Sequence, residues 1–248
     1  MAFTYFGSAS NPSDNGSASG TVAVTPPASM VAGDLAILIA VQGTPGGVSP
    51  IGLSDAGGQS WTAVLGDNVQ IESSGVATKL WFCRFNGTWS ASPACETTSG
   101  SLTVVLHVFT PTAAKNSLFL DLRSSNTVFS LPGVGVPITC PGRTTLSPNA
   151  VVIACWIAGD NPTWTFGGEA GWSLLGNAQY RNSTASYNSS LSSAYYLQAS
   201  PGATGDVTNT QGSLNRSAGY TVSFAVKEES VSVKILGKVK ILGAVKVL

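Results

Sequence analysis

Leu35-Ala36-Ile37-Leu38-Ile39-Ala40-Val41 is apolar at every position, and Val151-Val152-Ile153-Ala154-Cys155-Trp156-Ile157-Ala158 repeats that property later in the chain. A strand with one wet face alternates, so unbroken apolar runs of this length read as strands covered on both faces. Both are expected at the centres of sheets. Tyr220-Thr221-Val222-Ser223-Phe224-Ala225-Val226 does alternate and is expected to turn one face to water.

Outward from these runs, strand signals recur at Thr21–Val24, Trp61–Ile71, Ala77–Phe85, Leu102–Phe109, Leu118–Leu122, Trp172–Tyr180 and Ser193–Gln198. Clusters such as Thr44-Pro45-Gly46-Gly47 and Pro201-Gly202-Ala203-Thr204-Gly205 separate them, with the chemistry that makes turns. No long stretch carries a helical apolar period backed by good helix formers, so the fold class is all-β. An internal echo runs through the order of elements. Ala36–Val41, Ser60-Trp61-Thr62, Leu80-Trp81-Phe82 and Leu102–Leu106 are followed by Val151–Trp156, Gly171-Trp172-Ser173, Ala194-Tyr195-Tyr196-Leu197 and Tyr220–Val226 in the same succession. Two four-strand halves in one order fit a jelly-roll-like two-sheet sandwich, placed here at residues 1–229.

Composition agrees with a folded body. Of 248 residues, 43% are hydrophobic and 10% charged, against roughly 25% charged in ordinary soluble domains, and the formal net charge is +0. No charge field steers the chain toward nucleic acid or anionic lipid. The opening Met1-Ala2-Phe3-Thr4-Tyr5-Phe6-Gly7 lacks a basic and then apolar leader pattern, so no secretory signal is expected. The longest apolar run falls far short of the ~18 residues that span a bilayer. Cys83, Cys95, Cys140 and Cys155 have neither Cys-x-x-Cys spacing nor a nearby histidine, which argues against zinc; Cys83 and Cys155 read as buried thiols, with a disulfide left open.

The composition changes abruptly after Val231. Val233-Lys234-Ile235-Leu236-Gly237-Lys238, Val239-Lys240-Ile241-Leu242-Gly243-Ala244 and Val245-Lys246-Val247-Leu248 form a six-residue repeat over the stretch set off as residues 230–248. Each large aliphatic side chain is worth roughly 1.5–3 kcal/mol on full burial, and so short a segment has no core of its own. Val233, Ile235, Leu236, Val239, Ile241, Leu242, Val245 and Val247 are therefore expected to oligomerise or anchor the protein, with a homotrimer of interlocked β-strands as the leading arrangement. A final strand docked on the same subunit's sheet and a membrane-surface segment are the alternatives.

Signatures of chemistry are sparse. His107, the single histidine, lies in the strand-like Val104-Val105-Leu106-His107-Val108-Phe109 and reads as structural. Gly16-Ser17-Ala18-Ser19-Gly20 resembles a nucleophile elbow only in outline, since alanine stands at the nucleophile's place. Neither a phosphate-binding loop nor a His-Glu-x-x-His helix occurs. Asp67 and Asp160 sit in repeated Gly-Asp-Asn turns; they would have to meet across a cleft to hydrolyse a polysaccharide, and as turns they need no metal. Trp89 and Trp164, among polar and turn residues, and Tyr180 and Tyr187, flanking a Ser/Asn-rich loop, are candidates to stack on and hydrogen-bond a sugar; core-capping rings are the plainer reading. The sequence implies no catalytic residue, no metal and no cofactor.

Pro26-Pro27-Ala28-Ser29-Met30-Val31-Ala32-Gly33-Asp34-Leu35-Ala36-Ile37-Leu38, together with Ser60-Trp61-Thr62, Leu80-Trp81-Phe82 and Gly171-Trp172-Ser173-Leu174-Leu175, resembles a diffuse family of tailed-bacteriophage virion proteins. Its recurring features are a Gly-Asp plus hydrophobic strand, a Gly-Trp-Thr-like turn and an aromatic strand; Ser60-Trp61 departs from the Gly-Trp form. The resemblance spans residues 20–226 and implies a non-enzymatic β-sandwich in the virion, as capsid decoration or in the tail. Its partners would be copies of itself and other virion proteins. A receptor- or glycan-binding module of a phage fibre or spike, taking a host surface glycan, is the second reading, and a polysaccharide hydrolase the third.

Overall fold

The computed structural model describes residues 3–11, 20–44, 49–64, 71–73, 75–112, 117–122, 128–130, 137–184, 187–213 and 217–227. Among them the fold is all-β, without a helix, and every strand pairing is antiparallel. The hexad residues Val233 to Val247, and the boundary between body and tail, lie outside the described residues.

The first half contains β1 (Phe3–Asn11), β2 (Gly20–Ala23), β3 (Leu35–Gly43), β4 (Gly52–Asp55), β5 (Thr62–Ala63), β6 (Ile71–Ser73), β7 (Val76–Arg84), β8 (Ala94–Thr97) and β9 (Ser101–Pro111). The second contains β10 (Ser117–Leu122), β11 (Val128–Ser130), β12 (Pro137–Cys140), β13 (Thr144–Thr145), β14 (Ala150–Ala158), β15 (Trp164–Phe166), β16 (Trp172–Leu174), β17 (Tyr180–Thr184), β18 (Tyr187–Gln198), β19 (Gly202–Ala203), β20 (Val207–Gln211) and β21 (Ser217–Lys227). The two main sheets have one plan. The first runs β1-β9-β3-β7-β5 with β6 also on β7; the second runs β10-β21-β14-β18-β16 with β17 also on β18. Each half adds a three-stranded cover sheet, β2-β8-β4 in the first and β12-β20-β15 in the second.

Register makes the duplication exact to the residue. Ile37 of β3 pairs His107 and Phe82, whereas Ile153 of β14 pairs Val222 and Tyr195. With Ile37 matched to Ile153, Trp61 falls on Trp172, so the sequence echo is one of structure. A β-bulge recurs as well. The first edge strand shifts register between Tyr5 and Gly7 opposite Phe109, and its counterpart shifts between Leu120 and Leu122 opposite Phe224. The structure carries this repeat on many more strands than the eight expected.

Four layers result. The main sheets pack face to face through Leu35, Ile37, Ile39 and Val41 on one side and Val151, Ile153, Cys155 and Ile157 on the other. The opposite face of β3, with Ala36, Leu38 and Ala40, is sealed by Val22, Ile51 and Cys95 of the first cover layer and its flanks. Val152, Ala154 and Trp156 are sealed likewise by Ile138, Cys140, Trp164 and Val207. This explains why β3 and β14 lack alternation: each has a core on both faces. The wet face expected for Tyr220–Val226 does not exist. Thr221 and Ser223 are fully buried; the segment after β12 covers Thr221, whose Oγ1 donates to the Pro141 carbonyl at 3.0 Å.

Candidate functional site

The aromatic candidates separate by depth. Trp164 belongs to β15, a cover strand, and points inward; it is 5% exposed, and its Nε1 donates to Ser190 Oγ at 3.1 Å. Tyr180 is 3% exposed, with its hydroxyl 2.8 Å from Ser8 Oγ of the other half. Neither ring has a face open to a sugar. Thr163 and Thr165, the polar neighbours that suggested exposure of Trp164, do face outward, and strand alternation turns the ring between them to the inside. Tyr187 opens β18 opposite Thr184, with its side chain outside the described residues. The Ser/Asn-rich stretch is thus a hairpin, not an open loop, for β17 and β18 pair from Tyr180–Leu191 to Thr184–Tyr187.

Trp89 alone among the described candidates keeps part of its ring at the surface. It stacks on Phe85 at 5.0 Å between centroids and lies 6.3 Å from Trp61, a partner the sequence did not single out. Gln59 builds the site. Buried in the loop before β5, it donates from Nε2 to Asn86 Oδ1 at 3.1 Å and to the Thr88 carbonyl at 2.7 Å, while its Oε1 accepts from the Asn86 amide at 2.9 Å. Trp61 is fixed by its own Nε1, which donates to the Ala56 carbonyl at 2.9 Å. Gly57, at φ 60°, leaves room for the Trp89 ring, which a Cβ there would meet at 2.8 Å. The result is a rigid, half-exposed pair of indoles at one loop end of the first half. Such a platform suits the apolar face of a sugar ring.

A groove of about 690 Å³ opens elsewhere on the first half, lined by Thr21, Ile51, Lys79, Glu96, Thr97 and Thr98. Its lining includes one lysine and one glutamate, and the Thr97 hydroxyl is already engaged by Gln42 and the Ser99 carbonyl.

The titratable groups in the core are not arranged for chemistry. His107 is fully buried, its Nε2 lies 2.9 Å from Ser193 Oγ, and burial lowers its pKa to about 3. Its Nδ1 has no hydrogen-bond partner, so no carboxylate orients the ring as a general base would need. All four cysteines are free and buried, and burial pushes each thiol upward, Cys155 to about 12. Asp160 Oδ1 accepts from the Asn161 amide, the next residue along, and from Asn188 Nδ2, both at 2.8 Å. Asp67 lies outside the described residues. No cluster able to hold a metal occurs among the described residues. Comparison of the chain with protein-family models, curated proteins and solved structures finds no match.

Proposed function

We propose that this protein is a non-enzymatic structural component of a bacteriophage virion, built as two tandem jelly rolls and assembled through its C-terminal hexads. The strand orders β1-β9-β3-β7 and β2-β8-β4, repeated as β10-β21-β14-β18 and β12-β20-β15, support reading each half as one jelly roll wound between a main and a cover sheet. The observation that carries the assembly claim is the contrast between body and tail. The body buries the large apolar residues of its main sheets internally, whereas the chain beyond Lys227 repeats Val, Ile and Leu at core density. Such a segment is stabilised only by pairing, and copies of itself are the partner its regular period fits. This reading takes the assembly as a homotrimer joined to capsid or tail.

Mass photometry of the full chain tests it. The unaltered protein should run at a multiple of the 25.3 kDa chain mass, and a full-length Ile235→Glu/Ile241→Glu variant at one chain mass. A single-chain mass for the unaltered protein would sink the assembly claim.

The Trp61–Trp89 platform favours a second reading, a glycan-recognition surface on the same particle protein. Binding on a glycan array that disappears in Trp89→Ala, with the thermal midpoint little changed, would support it; no binding to any host-surface sugar would remove it.

A further inference from the structure

The inner faces of the two main sheets meet along two seams, and the duplication makes these seams counterparts. In one, β9 of the first half lies along β18 of the second. Thr103 Oγ1 is 2.8 Å from Ser189 Oγ, His107 Nε2 is 2.9 Å from Ser193 Oγ, and Phe109 and Tyr195 stack edge to face at 5.6 Å. In the other, β21 lies along β7. Tyr220 and Thr78 hydroxyls are 3.2 Å apart, and Phe224 and Phe82 stack edge to face at 5.2 Å. Register places Thr103, Val105, His107 and Phe109 on the positions of Ala218, Tyr220, Val222 and Phe224. It likewise places Val76, Thr78, Leu80 and Phe82 on those of Ser189, Leu191, Ser193 and Tyr195.

Row by row, the kinds of side chain match. Thr103–Ser189, His107–Ser193 and Tyr220–Thr78 set polar against polar. Val105 and Leu191, Ala218 and Val76, and Val222 and Leu80 fill the remaining rows, all within one apolar core. Pairing a half with its own copy breaks this match. Two first halves would set Thr103 against Val76, Thr78 against Val105 and His107 against Leu80. Two second halves would set Ser189 against Ala218, Tyr220 against Leu191 and Ser193 against Val222. Thr103, His107, Ser189 and Ser193 would lose these partners and Thr78 and Tyr220 would lose each other, although Thr78 keeps its bond to the Ala40 carbonyl at 2.9 Å; all six are buried, and a buried polar group left unpaired is costly.

We infer that these matched rows are a pairing code: each half's inner face fits the other half and rejects a copy of itself, which keeps like halves of the duplicated chain, and of neighbouring chains, from packing against one another. This is specificity through disfavoured alternatives, written in buried polar groups. It does not depend on the virion reading, since it concerns only the inner faces.

Matched and crossed double variants of the full chain test it by thermal unfolding. His107→Val and Ser193→Leu each install the residue of the other seam, and each alone should lower the midpoint; together they should recover most of the loss. Thr103→Ala with Ser189→Val should behave alike. The crossed pair His107→Val/Ser189→Val, drawn from different rows, should fall by at least the sum of its single effects. Matched pairs that fall by the sum, or crossed pairs that recover equally, would overturn the code. A second measurement reads rejection itself. A chain carrying all four substitutions, refolded with a differently tagged copy, should show several-fold more co-capture than the wild-type mixture, in which any tail-driven association is also present; equal co-capture would count against it.

Discussion

Gly33 and Asn149 hold the same place in the two halves, two residues before the inward-facing Leu35 and Val151, and both have positive φ, 96° and 58°. The turn that feeds each central strand therefore needs the left-handed region, which costs an L-residue roughly 1–2 kcal/mol unless it is glycine or asparagine. Asn149→Gly should leave stability unchanged or raise it slightly. Asn149→Ala and Gly33→Ala should each lower it by about 1 kcal/mol. Urea denaturation midpoints check this, and an Asn149→Ala protein as stable as Asn149→Gly would contradict the shared turn.

Much of the frame was legible because the central strands carry apolar side chains on both faces and because the halves repeat Trp61 and Trp172 at one register. What escaped is what bears polar residues. The first part of β18, with Ser189, Ser190 and Ser192 fully buried, looks like a loop in sequence, although Ser193–Gln198 reads as a strand; the strand runs through it since its hydroxyls are used between layers. The cover strands β4, β8, β12 and β20 are too short to show a period. At β1 the bulge at Phe6 breaks the alternation that would have announced a strand. Trp61 was visible as part of the echo, but only the Gln59–Asn86 knot reveals that it partners Trp89. The pairing of the seams needs the register of four strands at once, which no local pattern contains.

His107 gives the chain a predictable acid response. Burial lowers its pKa to about 3, while the unfolded chain titrates near the ordinary 6.5. Below about pH 6.5 the unfolded state binds a proton that the folded state does not, so stability contributed by the neutral ring is complete above that pH. It is lost as pH falls toward 3, at up to about 1.4 kcal/mol per pH unit. With a single histidine in the sequence, this slope between pH 6.5 and 4.5 should vanish in His107→Gln, although that variant starts from lower stability. Urea midpoints measured across the range decide it; a slope that persists in the variant would place the titrating group elsewhere.

The four cysteines should be silent in the native protein. Desolvation raises every thiol, Cys140 and Cys155 lie against each other's strand within the second half, and Cys140 Sγ donates weakly to the Cys155 carbonyl at 3.5 Å. Thiolate is therefore scarce at pH 8 and shielded from reagents. Ellman's reagent should find no rapidly reacting thiol in the folded chain and four in denaturant. A rapid native burst of one equivalent or more would show an opening that these buried positions do not have.

Trp164 offers the sharpest contrast with Trp89. It closes the second cover layer with its ring 5% exposed, its amide donates to Gln179 Oε1 at 3.0 Å, and its Nε1 donates to the buried Ser190 hydroxyl at 3.1 Å. Trp164→Ala removes both the apolar contact with the Trp156 layer and the donor to Ser190, and should cost about 3–5 kcal/mol. Trp164→Phe keeps most of the contact and loses the donor, and should cost about 1–2 kcal/mol. Trp89→Ala, whose ring is partly in water and whose Nε1 has no partner to abandon, should cost less than Trp164→Ala. Denaturation of the three proteins under one condition orders them, and an equal loss for the two alanine variants would mean that Trp164 does not carry the core of its half.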